Sequence, residues 1–513
     1  MIPNRPVFAL LALLVTFSGA FALVPETTPS GRFSMPADAP PDLTPARLQM
    51  KKMLEAFNSG SREVLEKYRE HNLSPFWLHP PDNDAALAWQ KSTGGWIPVA
   101  IEDKSRTGVV ALLRNVDSDD LFMMGVGVEL LPPHRLISIE LEYATDAPER
   151  FWPEQVSDEE AMDLLRADLA RRVSLGKFSG AVLVSHEDQV LFRQGFGFAD
   201  RETDTPNTPE TRFRIGAMGN MFTAVALMRL VQDGKLALSD TVGKLLPGLA
   251  NEDVGRLTLE QLLTNTGGTD DVEHLGSQMD LRKLRTHSDY VAEFGDSELL
   301  YRPGQRFKFS TLGYILLGAV IEHATGRSYY DYVRDVVYRP AGMTRTDALP
   351  EDEPVDGRAI PYRREPGTEA WVASPELMPY RGTAAGNGYS TVDDLARFVN
   401  ALQSHRLLDA RHTGMLLEPR VRMWGHTNYC YGFVDERYGN TRHWISHGGG
   451  IEGQNGELLF SPETGHVIVV LANFDEPIAK NVARFVAARL PGPEYGIPHV
   501  QLSANKKEVS HEN

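Results

Sequence analysis

The sequence predicts a mixed α/β (α+β) fold in which an antiparallel sheet is flanked by helices, preceded by a small α+β domain. Three patterns carry this prediction. Residues 136–143 alternate apolar and polar side chains, as a half-buried strand requires. Two apolar runs, 179–185 and 189–193, lie on either side of a short polar turn and are typical of a β-hairpin. Residues 224–231 are apolar on every helical face and therefore predict a buried helix.

Composition describes a globular protein with room for more than one domain. The chain has 513 residues, of which 42% are hydrophobic and 24% charged, and this length favours two domains or more. A formal net charge of −17 argues against nucleic-acid partners, because a phosphate-binding surface needs a basic field. The single Cys430 excludes an internal disulfide, and its neighbours Tyr429 and Tyr431 predict an inert thiol in a buried strand. We expect a small-molecule or peptide ligand, no cofactor and no metal ion.

The first part of the chain predicts export. Arg5 precedes an apolar run over 7–15 and then Ala20-Phe21-Ala22, which together are typical of a secretory signal over residues 1–22. The run is shorter than the ~20 residues that a membrane-spanning helix needs, and an uncleaved anchor is the alternative. Residues 23–42 are rich in Pro and Thr and predict a disordered lead. The expected location is periplasmic or extracellular, with no membrane span after signal cleavage.

Residues 43–146 predict the small α+β domain. Apolar residues at helical spacing predict a first helix that ends at Asn58 and a second over 62–71. Strands are predicted to follow over 108–114, 121–131 and 136–143. This order of elements resembles the small cone-shaped NTF2-like modules. Because no charged pair or histidine cluster marks a ligand site in it, we expect packing or dimerisation with a second copy of the chain.

The next stretch predicts a domain boundary. Residues 147–160 form a linker in this interpretation, since Pro148, Trp152 and Pro153 interrupt every periodic pattern. Within it, Ser157-Asp158-Glu159-Glu160 has the form of a capping box, which predicts the start of a new helix. The larger domain then covers residues 161–490. The polar residues 491–513 predict a disordered tail.

Four short motifs occur in order within the larger domain. They are 213–223, which opens the buried helix; Phe309-Ser310-Thr311, shortly after Pro303-Gly304; 388–396, a helix entry; and Ser446-His447-Gly448-Gly449-Gly450. Their content and order resemble the penicillin-recognising serine hydrolases, which include class C β-lactamases, D-alanyl-D-alanine carboxypeptidases and related esterases. The resemblance implies a β-lactamase/transpeptidase-like domain with a helical subdomain beside the sheet.

The catalytic side chains of that family are replaced in this chain. The family uses Ser-x-x-Lys, which presents a nucleophile and an amine one helical turn apart, and Tyr-x-Asn, which completes proton transfer. By resemblance these positions are Ala217 and Asn220, and Phe309 and Thr311. Asn265 stands where the family usually has histidine. No catalytic side chain of the family's set is therefore intact.

The backbone of the site is retained. His447 and the glycines that follow it match the family's Lys/His-x-Gly strand. The resemblance implies that the backbone amides of Ala217 and Gly450 are the two oxyanion donors, which do not depend on side chains. The predicted ligand-binding residues are Ala217, His447, Gly448, Gly449 and Gly450.

Two functions remain open. The first is an exported, catalytically inactive pseudoenzyme that keeps the pocket as a binding or regulatory site, for a peptide or a ligand such as a cell-wall fragment. Alanine cannot be acylated, and loss of the nucleophile in a comparable enzyme costs about a millionfold in turnover. The alternative is a weak serine hydrolase, an esterase, peptidase or β-lactamase-like enzyme, that uses Ser310 as its nucleophile beside His447.

Overall fold

The computed structural model describes residues 43–77, 83–187, 189–365, 370–374 and 379–493. The predicted signal and lead, residues 1–42, lie outside the described residues, and so does the predicted tail from residue 494 onward. In the part that the structure describes, no helix combines the length and the apolar character that crossing a bilayer requires.

The N-terminal domain pairs three helices with a four-stranded antiparallel sheet in the order β1-β2-β3-β4. Its elements are α1 (Pro45–Asn58), α2 (Arg62–Asn72), α3 (Asn83–Thr93), β1 (Trp96–Asp103), β2 (Gly108–Asn115), β3 (Leu121–Val128) and β4 (Leu136–Tyr143). The ring of Trp96 stacks on Phe57 with centroids 4.5 Å apart and meets Trp89 edge-on at 4.7 Å. These aromatic contacts join α1, α3 and β1 in one core.

The larger domain is built on an eight-stranded antiparallel sheet. The strands of this part of the chain, including those of small two-stranded sheets, are in chain order β5 (Gly180–His186), β6 (Gln189–Phe196), β7 (Phe198–Asp200), β8 (Thr205–Pro206), β9 (Phe213–Arg214), β10 (Tyr362–Arg364), β11 (Trp371–Ala373), β12 (Tyr389–Ser390), β13 (Val421–Trp424), β14 (Thr427–Tyr429), β15 (Val434–Tyr438), β16 (Arg442–Ile451), β17 (Gln454–Phe460) and β18 (His466–Ala472). The order across the large sheet is β13-β14-β15-β16-β17-β18-β5-β6. The predicted hairpin is therefore confirmed as β5 and β6.

Helices cover the sheet and form a separate helical region between residues 242 and 341. They are α4 (Asp158–Ser174), α5 (Gly219–Gln232), α6 (Val242–Leu245), α7 (Glu252–Gly255), α8 (Leu259–Leu263), α9 (Val272–Leu275), α10 (His287–Phe294), α11 (Thr311–Thr325), α12 (Tyr329–Val333), α13 (Arg339–Ala341), α14 (Val392–Gln403), α15 (Ala410–Leu417) and α16 (Ile478–Ala487). A π-helical segment, Arg334–Tyr338, joins α12 to α13. Short 3₁₀ turns cover Glu149–Phe151, Gly216–Met218 and Leu281–Lys283.

Strand β18 illustrates how helices bury the sheet on both faces. All seven of its residues are buried, as expected for a central strand with helices on either side. Val469 and Leu471 belong to the same hydrophobic core as α5 and α14. Ile468 and Val470 point the other way and share a core with α16 and α4.

The two domains share hydrophobic packing. Leu112 and Leu121 of the N-terminal sheet lie in the same core as Val482 of α16. Phe151 and Trp152 are buried in that core as well, so the predicted linker over 147–160 is packed rather than extended. Helix α4 begins at Asp158, where the Ser157 hydroxyl accepts a hydrogen bond from the backbone N–H of Glu160. The sequence signal for this helix start was correct.

Cys430 lies in the core but not in a strand. It follows β14, and its backbone N–H donates to the carbonyl of Phe433 at 2.8 Å. The thiol is fully buried and donates to the carbonyl of Leu417 at 3.2 Å. Burial raises the pKa of the Cys430 thiol to about 12, so it stays protonated at neutral pH. This agrees with the prediction of an inert thiol, although the prediction of a strand at this residue was wrong.

Candidate active site

A 3₁₀ turn at the start of α5 forms the centre of the candidate site. Residues Gly216–Met218 make this turn, and Ala217 is half-buried at its middle. Gly216 has a φ of +50°, and a Cβ built on it would lie 2.5 Å from the backbone nitrogen of Gly450. Only glycine combines that conformation with such a close approach. The turn is therefore pressed directly against β16.

Strand β16 meets the turn through its own glycines. A Cβ on Gly449 would lie 2.3 Å from the carbonyl oxygen of Ile215 and 2.6 Å from the backbone nitrogen of Ala217. No larger residue could occupy this register without pushing the strand away from the helix. The backbones of Ala217 and Gly450, which carry the two predicted oxyanion amides, consequently meet at one junction.

Buried polar side chains lie beneath this junction. Asn220, on the first turn of α5, is fully buried, and neither its side-chain oxygen nor its nitrogen has a hydrogen-bond partner. Burial raises the pKa of the Tyr429 phenol well above its usual value, while the amides of Asn220 and Asn265 partly oppose this shift. The Tyr429 hydroxyl lies 3.3 Å from that of Tyr314, which donates to the carbonyl of Leu263 at 3.0 Å. The Asn220 side chain thus lies near a phenol that stays protonated at neutral pH.

His447 lies on the same side of β16 as Gly449 and faces Tyr429, with ring centroids 6.4 Å apart. Its Nδ1 lies 2.6 Å from the carbonyl oxygen of Gly448, and because a carbonyl only accepts, Nδ1 carries the proton. The buried Nε2 has no partner. Burial lowers the pKa of His447 to about 4, so the ring is neutral at pH 7. It therefore cannot supply the positive charge that the family's lysine would bring.

Ser310 serves as the N-cap of α11. Its hydroxyl accepts from the backbone N–H of Gly313 at 3.0 Å, donates to the carbonyl of Asp270 at 2.9 Å and lies 2.7 Å from the Thr269 hydroxyl. Only 2% of Ser310 is exposed. Among the described residues no hydrogen bond links it to His447. These contacts are those of a capping residue, and they leave the hydroxyl no proton acceptor of the kind that would activate a nucleophile.

The remaining two motif positions lie at the entry to α11. Thr311 accepts from the backbone N–H of Val272 at 2.8 Å, and its hydroxyl donates to Glu273 at 3.0 Å. Phe309 is half-buried in the extended segment before the helix. The adjacent Lys308 has its amine 2.7 Å from the Asp270 carboxylate. This amine is held in an ion pair with Asp270.

Asn265 and Tyr429 are two residues that the sequence analysis does not assign to the site, although its prediction of a buried strand at Tyr429 is confirmed. Asn265 was noted only as a departure from the family, yet its side-chain oxygen accepts from the backbone N–H of Ser310 at 3.0 Å and so positions the start of α11. Its φ of +55° is one that asparagine tolerates better than most residues. Tyr429 was assigned to a buried strand and not to the site. Its only sequence signal was an aromatic residue in an apolar run.

Comparison with known proteins shows the family of the chain. The sequence profile of the Beta-lactamase family matches residues 165–491. The chain belongs to the Beta-lactamase family. Penicillin-binding protein 4* of Bacillus subtilis (strain 168) is 26% identical over 351 residues, which cover 65% of this chain and 77% of that protein. Protein flp of Staphylococcus aureus (strain MRSA252) is 26% identical over 316 residues, and the match spans 58% of this chain and 60% of that protein's length.

Solved structures of penicillin-binding proteins resemble this chain over about three fifths of its length. A penicillin-binding protein from Bacillus halodurans gives a TM-score of 0.56 at 28% identity, covering 61% of this chain and 98% of that one. The octameric penicillin-binding protein homologue from Pyrococcus abyssi gives 0.56 at 25% identity, with 64% and 78% covered. The predicted fold class and the predicted resemblance to penicillin-recognising serine hydrolases are both confirmed.

Proposed function

We propose that this member of the Beta-lactamase family is an exported pseudoenzyme whose site binds a ligand without cleaving it. The observation that carries the proposal is Ala217. It lies at the start of α5 against the glycine strand, where the family's nucleophile would stand, and its methyl group cannot form an acyl bond. Loss of a serine nucleophile in a comparable enzyme lowers turnover by about 10⁶-fold.

The neighbouring side chains support the same proposal. Asn220 carries no charge and has no hydrogen-bond partner, and His447 is neutral because burial holds its pKa at about 4. Lys308 is paired with Asp270. A serine placed at position 217 would therefore find no activated base among these residues, and the Ser310 hydroxyl is already engaged in capping α11.

Binding is supported by buried polar atoms that lack partners. They are both amide atoms of Asn220, the Nδ2 of Asn265 and the Nε2 of His447. A buried polar atom left unpaired costs about 1–3 kcal/mol, and a bound polar ligand or ordered water would recover part of that cost. The backbone amides at Ala217 and Gly450 and the Nδ2 groups of Asn220 and Asn265 are donors that suit a carbonyl or carboxylate group. The Oδ1 of Asn220 and the unprotonated Nε2 of His447 are acceptors, and they suit a donor such as a peptide N–H. The proposed ligand is a small acyl-peptide, such as a cell-wall fragment.

Thermal unfolding with N-acetyl-D-alanyl-D-alanine tests the binding. At millimolar concentration the dipeptide should raise the unfolding midpoint of the protein and be recovered intact afterwards. The Ala217→Trp variant should lose this shift, because a large side chain at the half-exposed position fills the space beside the glycine strand.

The matched control is Ala217→Ser, which adds one atom and should keep the shift. Circular dichroism of both variants verifies folding. If neither this dipeptide nor a related acyl-carboxylate stabilises the wild-type protein, or if Ala217→Trp responds as the wild type does, the retained site is not a binding site.

A further inference from the structure

A second cluster of functional side chains lies far from Ala217, at the opposite end of the sheet. His186 ends β5 and His466 begins β18, and the two residues are directly paired across these antiparallel strands. Their rings stack with centroids 4.1 Å apart. Asp158, in the first turn of α4, reaches both rings: Oδ2 lies 2.8 Å from His186 Nδ1, and Oδ1 lies 2.9 Å from His466 Nε2.

We propose that Asp158, His186 and His466 form a binding site for one divalent transition-metal ion of the zinc class. Among the residues that the structure describes, this is the group whose potential ligand atoms all lie within 4.8 Å of one another. Two imidazole nitrogens and one carboxylate oxygen are donors that suit Zn²⁺, Ni²⁺ or Cu²⁺ better than Mg²⁺ or Ca²⁺.

The distances fit an ion after a small opening of the cluster. Zinc binds nitrogen and oxygen ligands at about 2.0–2.1 Å, so two ligands of a tetrahedral site lie about 3.3 Å apart. The present nitrogen-to-oxygen separations are 2.8 and 2.9 Å. The ion would replace the protons that now join the rings to the carboxylate. The Asp158 carboxylate brings a negative charge to the cluster, which favours a dication.

The surroundings support a fixed site with one open position. The Thr464 hydroxyl lies 2.7 Å from His466 Nδ1, so it can accept from that nitrogen when Nε2 binds the ion, as outer-shell partners of metal-bound histidines do. The His466 side chain is 1% exposed and the His186 side chain 39%. The buried ring would fix the site, and the exposed one would let a water complete the coordination.

His443 also contacts two carboxylates, but its ligand atoms are not arranged around one position. His443 contacts Glu463 through Nδ1 at 3.0 Å and Asp435 through Nε2 at 2.6 Å. Those carboxylates lie on opposite sides of one ring, so they cannot converge on one ion. At the proposed site one potential ligand atom from each of the three side chains lies within 4.8 Å of the other two.

The site would be structural. Gly450, at the candidate active site, pairs with Asn455 of β17, and Asn455 pairs with Ala472 of β18. Ala472 and His466 are the two ends of β18, which lie about 20 Å apart at 3.3 Å per residue. An ion there cannot reach the candidate active site. The ion would connect the first turn of α4 to two strands of the sheet. This structural role does not depend on the proposed binding function.

The experiment uses untagged protein treated with a chelator and then titrated with ZnCl₂ by calorimetry, with the bound metal counted after dialysis. We expect one zinc per chain and a rise of the unfolding midpoint of about 2–4 °C at a hundredfold excess over the dissociation constant. MgCl₂ should give neither effect. X-ray absorption at the zinc edge should show nitrogen and oxygen ligands and no sulfur.

Variants separate this site from adventitious binding. His186→Asn changes a partly exposed side chain and should weaken zinc binding at least tenfold, and Asp158→Asn should do the same while keeping a polar group in the helix turn. The control is His412→Asn, because His412 contacts one carboxylate, that of Asp409, at 2.8 Å and should bind as the wild type does. Failure of the wild-type protein to retain one zinc, or unchanged affinity in His186→Asn, would overturn the proposal.

Discussion

Ala217→Ser alone should leave the protein with almost no esterase activity, whereas the quadruple variant Ala217→Ser, Asn220→Lys, Phe309→Tyr and Thr311→Asn should hydrolyse p-nitrophenyl acetate measurably. An unactivated hydroxyl is a poor nucleophile, and the four groups act as a unit. General acid–base assistance contributes about 10²–10⁴-fold, so we expect the quadruple variant to exceed the single one by about a hundredfold or more in kcat/KM.

The gain in activity should come with a loss of stability. Asn220 is fully buried, and a lysine there would have to place its amine beside the phenol of Tyr429 in a site without solvent. Burying a charged or polar group in this way is costly, and we expect the quadruple variant to lose roughly 1–3 kcal/mol of unfolding free energy.

The matched control keeps alanine at position 217 and carries the other three substitutions. It should be destabilised to a similar extent and remain inactive, which separates restored chemistry from nonspecific surface hydrolysis. If the single Ala217→Ser variant proves as active as the quadruple one, the other three positions are not lost catalytic partners, and the assignment of the motifs is wrong.

Arg484→Met should destabilise the protein by about 3–5 kcal/mol, because it leaves a buried carboxylate without its counter-ion. Arg484 on α16 pairs with Glu436 on β15, and both side chains are 6% exposed. Glu436 also accepts hydrogen bonds from Tyr438 at 2.5 Å and from Ser446 at 2.7 Å. Burial alone would raise the pKa of Glu436, but Arg484 and these hydroxyls hold it below its usual value.

Urea unfolding measures this effect, and a surface pair provides the control. Arg256 pairs with Glu252 on side chains that are 70% and 82% exposed, so Arg256→Met should cost no more than about 1 kcal/mol. The double variant Glu436→Gln, Arg484→Met should recover part of the loss, since it removes the unpaired charge. Equal midpoints for Arg484→Met and Arg256→Met would show that the buried pair does not hold α16 on the sheet.

The sequence was informative wherever burial dictated the pattern. The uniformly apolar run over 224–231 predicted a buried helix, which is α5, and the apolar runs over 179–185 and 189–193 are β5 and β6 to within a few residues. Strand β1 and helix α3 were missed. Pro98 lies inside β1, and a proline weakens a strand pattern. Most of α3 is only half-buried, so no apolar stripe marks it.

The site was harder to predict because its members are distant in sequence. Local motifs located Ala217 and the glycines of β16, whose backbones the structure brings together. The proximity of Asn220 to Tyr429 brings together residues 209 positions apart in the chain, which no local pattern encodes. The sequence offers Ser310 as an alternative nucleophile, but a serine just before an apolar helix also fits an N-cap, and the structure shows its hydroxyl in that role. The proposed metal cluster was not expected, since its three residues come from separate elements.

Intact-mass spectrometry tests the central claim most directly. The untagged wild-type protein is incubated with a penicillin, with p-nitrophenyl acetate and with a fluorophosphonate serine probe, and an active serine β-lactamase is treated in parallel. The account predicts no mass increase and no burst of product from the wild-type protein, because Ala217 offers no nucleophile and the Ser310 hydroxyl is engaged at the start of α11. A stable adduct that maps to residues 210–225 or to Ser310 would contradict it.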